Sequence, residues 1–481
     1  MENVQRIAAH TRARPALVLL VTSIGVLVAQ IDTTAVNVAV RRIGADLGTS
    51  VSGMQWTVDA YNLVYATLLL TGGALGDLYG RRRIFACGIA LFAVGSVACA
   101  LAPDTATLLA GRALSGLGAA LELPMSLALL ALAYPERRSR QRALGIWASC
   151  NGLALVIGPT LGGLMVQTIG WRSIFYLVLP LCAAALALAP TAVPESSSPE
   201  RRSLDVLGQA AAIAAVGGVA FMAIEGPHLG WTSTAVLIGA CLALGGGIAF
   251  VRVERRTERG LVPFSLFAIR PFSASLAVAG LMTFGTYALL FLVPLYFQTV
   301  LGDDVSTAGV RLLPMSIAFA VVSQQSGRIV PTVGLRTAMT SGMAAMGLGE
   351  LALALVSAST SEWLVAAALA VTGVGLGLNT APVNAVAVGS VPNHRSGTAS
   401  GLLNTARMIG ATLGVAILGA VFAHYAGQSL SAAHFASGMR AALGLGGAAE
   451  LAGAVVALKF IGGTAGEARR AESRRRFVEE R

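Results

Sequence analysis

The sequence predicts an all-α integral membrane protein: two six-helix bundles in parallel repeat, with a two-helix hairpin inserted between them. Three observations lead there. Long apolar segments alternate with short polar turns, arginines collect on one side of those segments, and a glycine pattern from the first half returns in the second.

Mean hydropathy is +0.73, with 55% hydrophobic and 12% charged residues. Such a chain presents most of its surface to lipid. A spanning helix needs roughly 20 apolar residues, and a bilayer leaves an open chain no other way to satisfy its backbone. Period-two alternation is not apparent, which argues against a barrel.

The segments number about fourteen. Cores at 16–40, 52–74, 84–102, 106–131, 143–167 and 173–191 form the first bundle, residues 1–191. A Pro- and Ser-rich linker, 192–205, leads to cores 206–225 and 232–252 of the inserted hairpin, 206–253. A charged loop, 254–271, precedes cores 272–297, 309–329, 337–357, 362–388, 400–425 and 437–459 of the second bundle, 272–460. A basic tail, 461–481, has the composition of a disordered segment.

The net charge of +11 encodes topology. Of 34 Lys and Arg, all but Arg41, Arg42, Arg112, Arg172, Arg311 and Arg440 fall on one side of the segments, Arg407 among them. The positive-inside rule makes that side, and both termini, cytosolic. No aromatic residues interleave with the basic ones, so no nucleic acid is expected as a partner. Cys87, Cys99, Cys150, Cys182 and Cys241 stand singly, which implies neither disulfides nor a metal. The first apolar run is too long for a cleavable signal.

Gly73, Gly80, Arg82, Gly88 and Gly95 recur 254 positions later as Gly327, Gly334, Arg336, Gly342 and Gly349; Gly116 and Gly118 recur as Gly373 and Gly375. The copies keep one membrane orientation. A parallel repeat of this kind marks a rocking transporter with its site near the midplane.

Ionisable residues at membrane depth cost at least ~2.5 kcal/mol on insertion scales and are functional candidates by default. At 1.5 Å per residue, Asp32 and Asp59 each lie about 12 Å deep and Arg112 about 9 Å deep. These three form one expected layer for proton and substrate coupling, although Asp59 also fits a solvated outer vestibule and Arg112 a structural partner. Glu122 lies deeper, about 24 Å from the outer end of its segment. Glu225 reads as part of an interfacial loop. Glu350 and Glu450 fall within the eleventh and fourteenth segments, with no evident basic partner; either is a candidate second substrate or proton site, and Arg407 is a further candidate of the second half.

The turn Gly73-Ala-Leu-Gly76-Asp77-Leu-Tyr-Gly80-Arg81-Arg82-Arg83 joins two spans. Its glycines permit a tight turn, Asp77 can cap a neighbouring helix N-terminus, and the arginines sit at headgroup level. The expectation is a cytosolic latch between the halves, with Pro331 replacing the acid in the second copy. In the fifth segment, Gly145, Gly158, Pro159, Gly162 and Gly163 combine a small-residue face with a helix-breaking proline.

Together these residues resemble the major facilitator superfamily, and within it the fourteen-span drug:proton antiporters. Gly73 to Arg83 is similar to the signature loop. Asp32-Thr33-Thr34-Ala35-Val36-Asn37-Val38-Ala39 is similar to the first-helix signature. Arg112-x-x-Ser115-Gly116-x-Gly118 resembles the helix 4 arginine motif, which implies a role in proton coupling. Gly145 through Gly163 resembles the helix 5 motif of exporters, and Ser396 to Gly401, with Asn404, Arg407 and Gly410, also fits this group. Trp56-x-x-Asp59-Ala60-Tyr61 is similar to the branch that holds antibiotic self-resistance exporters. Ser115, Ala154 and Arg41 depart from the usual Gln, Gly and Pro. The resemblance implies a major facilitator fold in the bacterial plasma membrane, exchanging protons for drug-like molecules.

Such a transporter needs no cofactor beyond the proton motive force, and its expected partners are a small molecule, protons and the bilayer; a monomer is expected. The alternatives are a proton-coupled importer of a small metabolite and a non-transporting receptor. No catalytic triad or metal spacing surrounds the five histidines, and no Gly-x-x-x-x-Gly-Lys phosphate loop is present, so neither an enzyme nor an ATP-driven pump is indicated.

Overall fold

Where the chain is continuously apolar it folds as helix, even through internal prolines such as Pro124 and Pro159. The computed structural model describes residues 15–197, 205–256, 262–357, 359–392, 395–426 and 432–462. The basic tail beyond 462 and the middle of both the 192–205 linker and the 254–271 loop lie outside the described residues.

In chain order the long helices are α1 (Pro15–Leu47), α2 (Val51–Tyr79), α3 (Arg81–Ala100), α4 (Thr105–Ala133), α5 (Arg137–Thr168), α6 (Ser173–Ala192) and α7 (Val206–Leu229). They continue as α8 (Thr234–Arg256), α9 (Arg270–Thr299), α10 (Val305–Val333), α11 (Leu335–Ala354), α12 (Glu362–Gly389), α13 (Ser396–Ala426) and α14 (Ala432–Phe460). Among the described residues, 12 helices are long and apolar enough to cross a membrane. The two outside that set, α2 and α11, are equally regular but more polar. Gln55, Asp59 and Asn62 of α2 and Glu350 of α11 are all buried, so these helices turn their polar groups to protein rather than to lipid.

Short side chains start several helices by occupying backbone N–H groups that have no partner within the helix. Ser50, Asp104, Asp205 and Asp304 accept from Gly53, Thr107, Gly208 and Thr307 respectively. The backbone and side-chain hydrogen bonds from Thr107 hold the Asp104 carboxyl below the usual range. At the matching turns α2–α3 and α10–α11, Gly80 and Gly334 adopt φ of +107° and +85°, a region that side-chain-bearing residues rarely enter.

The repeat is also visible in the packing. A Cβ on Gly88 would press on the Gly118 carbonyl and the Glu122 backbone; one on Gly342 would press on the Gly375 carbonyl and Asn379. Gly116 lies against the Tyr61 carbonyl and its copy Gly373 against the Met315 carbonyl. Each glycine brings two backbones into direct contact, so helix spacing is encoded by the missing side chains. The α3–α4, α2–α4 and α1–α5 contacts of the first half correspond to α11–α12, α10–α12 and α9–α13 of the second.

The halves meet through α5 against α10 and α2 against α13. Along α5 and α10, contact runs from the arginine-poor end to mid-helix. Gly163 meets Val305, the Pro159 carbonyl meets Gly309, and Gly152 faces Phe319 and Ala320. Beyond that, Gly145 and Gly327 face open space. The two helices therefore diverge toward the arginine-rich end, leaving a cleft that opens there. α7 packs against both α2 and α13, and α8 packs mainly on α7.

Candidate proton and substrate site

Asp32 on α1 and Arg112 on α4 form a buried ion pair between Asp32 Oδ2 and Arg112 Nη1, with each side chain 1% exposed. Arg112 has two further anchors. Its Nε donates to the Thr57 carbonyl on α2 at 2.9 Å, and its guanidinium lies 4.7 Å from the Tyr61 ring centroid, a cation–π contact strengthened by desolvation. Asp32 is held less completely, because Oδ1 has no hydrogen-bond partner. The arginine is thus fixed by three neighbours, while the carboxyl keeps one oxygen free to take a proton or a donor group.

Asp59 does not join this pair. It sits on the face of α2 that carries Gln55 and Trp56. Gln55 donates to the Val415 and Ala416 carbonyls of α13, and Trp56 Nε1 donates to Glu225 of α7 at 2.7 Å. The expected three-group layer is therefore a pair plus a separate acid: equal depth along neighbouring helices does not ensure a shared face. The vestibule reading of Asp59 also fails, since the residue is 0% exposed. Glu225, expected in a loop, lies inside α7 as the acceptor for Trp56.

Glu122 is buried with both carboxyl oxygens unpartnered, behind Gly25 of α1 and beside Phe85. Glu350 and Glu450 are buried together in the second half. Arg407, grouped above with the residues of the cytosolic side, lies well inside α13. It donates weakly to Asn404 Oδ1 (3.5 Å) and the Thr380 carbonyl (3.4 Å), within electrostatic reach of Tyr65 and Tyr287. Half-buried at the junction of the halves, it marks no membrane boundary.

The fifth-helix glycines have identifiable work. Gly158 and Gly162 bring α5 onto Thr34 and Ala35 of α1, two to three residues from Asp32. Pro159 lacks the N–H that would bond the Leu155 carbonyl. Ser316 Oγ of α10 donates to that carbonyl instead, at 2.9 Å. The proline thereby converts an internal helix bond into a bond between the halves. Gln298 of α9 adds a second, donating to the Val38 carbonyl of α1 at 3.0 Å.

The signature turn is tied to its own half. Asp77 pairs with Arg81 at 2.8 Å and, among the described residues, caps no neighbouring helix. Arg82 donates to the Pro190 and Val193 carbonyls, and Glu195 receives the Arg82 backbone N–H at 3.1 Å. The expected latch across the halves is not engaged here, in keeping with the divergence of α5 and α10 at this end.

Sequence reasoning located Asp32 and Arg112 but gave no role to Tyr61 as the ring beneath the guanidinium, and it missed Ser316 and Gln298. The Pro159 position was the available clue to Ser316, since a missing donor implies an acceptor that must be filled from elsewhere.

Residues 22–415 match the family described as Major Facilitator Superfamily. The chain is 39% identical over 416 residues to the multidrug resistance protein Stp of Mycobacterium tuberculosis, covering 86% of this chain and 77% of that protein. It is 36% identical over 397 residues to the methylenomycin A resistance protein of Streptomyces coelicolor, covering 82% and 83%. Among solved structures, a peptide transporter shares the fold with a TM-score of 0.70 at 16% identity, covering 94% of this chain and 97% of that one. A D-xylose–proton symporter gives 0.65 at 15% identity. The repeat, the diverging halves and these matches together place the chain in the major facilitator superfamily, as a multi-pass membrane transporter rather than an enzyme.

Proposed function

We propose that this chain exports hydrophobic or amphipathic small molecules, antibiotics among them, in exchange for protons. The observation that carries the reading is the Asp32–Arg112 pair: a buried carboxyl with one unpartnered oxygen, held by an arginine that is itself anchored twice more. A proton added to Asp32 weakens its hold on Arg112, and a cationic or hydrogen-bonding substrate that engages Asp32 favours release of that proton. Burial makes both exchanges energetically large. The relatives' names, multidrug resistance protein and methylenomycin A resistance protein, support export of drug-like compounds.

In this reading all fourteen helices span the bacterial plasma membrane, with α7–α8 inserted between two six-helix halves and the arginine-rich end in the cytosol. The α5–α10 cleft then faces the cytosol, the side from which an exporter loads. Substrate and protons are the only partners required, no cofactor takes part, and one chain suffices. Asp59, Glu122 and Arg407 are further coupling candidates, and the Asp77 turn engages the second half when the cleft closes.

The test is a drug-susceptibility panel in a host deleted for its own pumps. Expression is expected to raise resistance to apolar compounds, and a protonophore to cancel the gain. Unchanged susceptibility across the panel at verified membrane expression would sink the proposal.

A further inference from the structure

Outside the Asp32–Arg112 site, the second half buries two carboxyl groups together. Glu350 comes from α11 and Glu450 from α14, both 0% exposed. They converge on Gly285 at the middle of α9: a Cβ there would lie 2.7 Å from Glu350 Oε1 and 2.6 Å from Glu450 Oε1. The other Glu350 oxygen lies 2.5 Å from the corresponding point on Gly446. None of the four carboxyl oxygens finds a hydrogen-bond donor elsewhere among the described residues.

Among the described residues, no base pairs with either carboxyl. On the helices packed around the pair, Arg270 (α9), Arg328 (α10), Arg336 (α11), Glu362 (α12), His424 and Tyr425 (α13), and His434, Arg440 and Lys459 (α14) are all exposed, and Arg311 (α10) pairs with Asp303 and Glu362. Tyr296 donates to the Ser357 carbonyl, and Arg407 and Tyr287 belong to the cluster around Tyr65.

A second observation is independent of the dyad. In the first half, Gly25 of α1 faces an unpartnered buried carboxyl in the same way, with its Cβ position 3.4 Å from Glu122 Oε2. The repeat places Asn379 at the Glu122 position and Ser96 at the Glu350 position, and Ser96 is also buried without a partner. Both halves therefore leave room, behind a glycine of their first helix, for a polar group unneeded for packing. The second half fills that room with two acids.

We infer that Glu350 and Glu450 form a proton-binding site that holds one proton between two carboxyl groups and exchanges it as α9 shifts. Two carboxylates side by side in a dry interior cannot both stay ionised, and their protons belong to the pair rather than to either residue. α9 is the wall between this site and α1 of the other half, against which it packs and to which Gln298 bonds. Rocking of the halves thus bears directly on the helix that covers the dyad. The assignment rests on the exporter reading only for the direction in which the proton moves.

The test uses the full chain in lipid nanodiscs. Protonated carboxyls in apolar surroundings add to dicyclohexylcarbodiimide, and peptide mass mapping locates the adduct. In the wild-type protein, labelling at Glu350 or Glu450 is expected to fall as pH rises and to persist in D32N. Infrared difference titration should show a pH-dependent carboxyl band that moves in E350Q and in E450Q and loses that component in E350Q/E450Q. Labelling of both acids independent of pH, or a titration unchanged in the double variant, overturns the assignment and leaves two permanently protonated structural acids. Ethidium flux driven by a pH gradient is measured separately. Its absence in the wild type counts against the exporter reading, while the carboxyl titration still decides the dyad.

Discussion

Replacing Arg112 with Gln should cost more than replacing Asp32 with Asn, although the two residues form one ion pair. Arg112→Gln removes the pair, the 2.9 Å bond to the Thr57 carbonyl and the contact with the Tyr61 ring, and it strands a buried carboxyl. Breaking a buried pair in this way costs about 3–5 kcal/mol. Asp32→Asn leaves a guanidinium that still has its carbonyl and its ring, so the expected loss is smaller, about 1.5–3 kcal/mol, the range for a hydrogen bond to a charged group. The double variant should be less damaged than the sum, with a coupling of about 2 kcal/mol, within the range seen for groups in one network. The assay is equilibrium unfolding of the purified protein in mixed micelles. Equal single costs, with a double variant additive to within about 0.5 kcal/mol, would refute the account of an arginine held by three neighbours.

Three further outcomes follow from the α5–α10 seam and the α7 contact. Ser316→Ala should cost about 1–3 kcal/mol by leaving the Leu155 carbonyl without its donor; Pro159→Ala restores an N–H to that carbonyl, so Ser316→Ala should be nearly silent in the Pro159→Ala background, and equal costs in both backgrounds count against the exchange. Gly309→Ala places a Cβ against the Pro159 carbonyl and should abolish ethidium efflux with normal expression; wild-type efflux would show that this seam need not close tightly. Trp56→Phe removes the bond to Glu225 and should speed hydrogen exchange across α7 and α8, whereas unchanged protection would locate their docking in the Gln209 bonds to Thr67 and Thr71 and the apolar contact with Ala416 and Ala420.

Much of the architecture was legible because glycine is informative at close helix contacts. Gly80 and Gly334 share one backbone conformation, and Gly116 and Gly373 share one kind of carbonyl contact, so the recurring letters reported real geometry. Depth was legible as well, since residue count measures distance along a helix axis. Rotation about that axis was not. Asp59 is two residues from both Thr57 and Tyr61, which serve Arg112, yet it lies on the face beside Gln55 and Trp56. Pairings between distant segments were equally hidden. Glu350 and Glu450 each looked like an isolated acid, and nothing local to either residue names the other. Arg407 was legible as a candidate of the second half, but counting it with the cytosolic charges overlooked that α13 begins at Ser396 and carries the arginine inward.

The central claim, that Asp32 exchanges the driving proton, is tested most directly by ethidium transport in proteoliposomes containing the Asp32→Asn variant. The prediction is a split: ethidium still equilibrates down its own gradient through the protein, but an imposed pH gradient no longer drives accumulation. Accumulation at the wild-type level under the pH gradient would contradict the claim and move proton coupling to another acid.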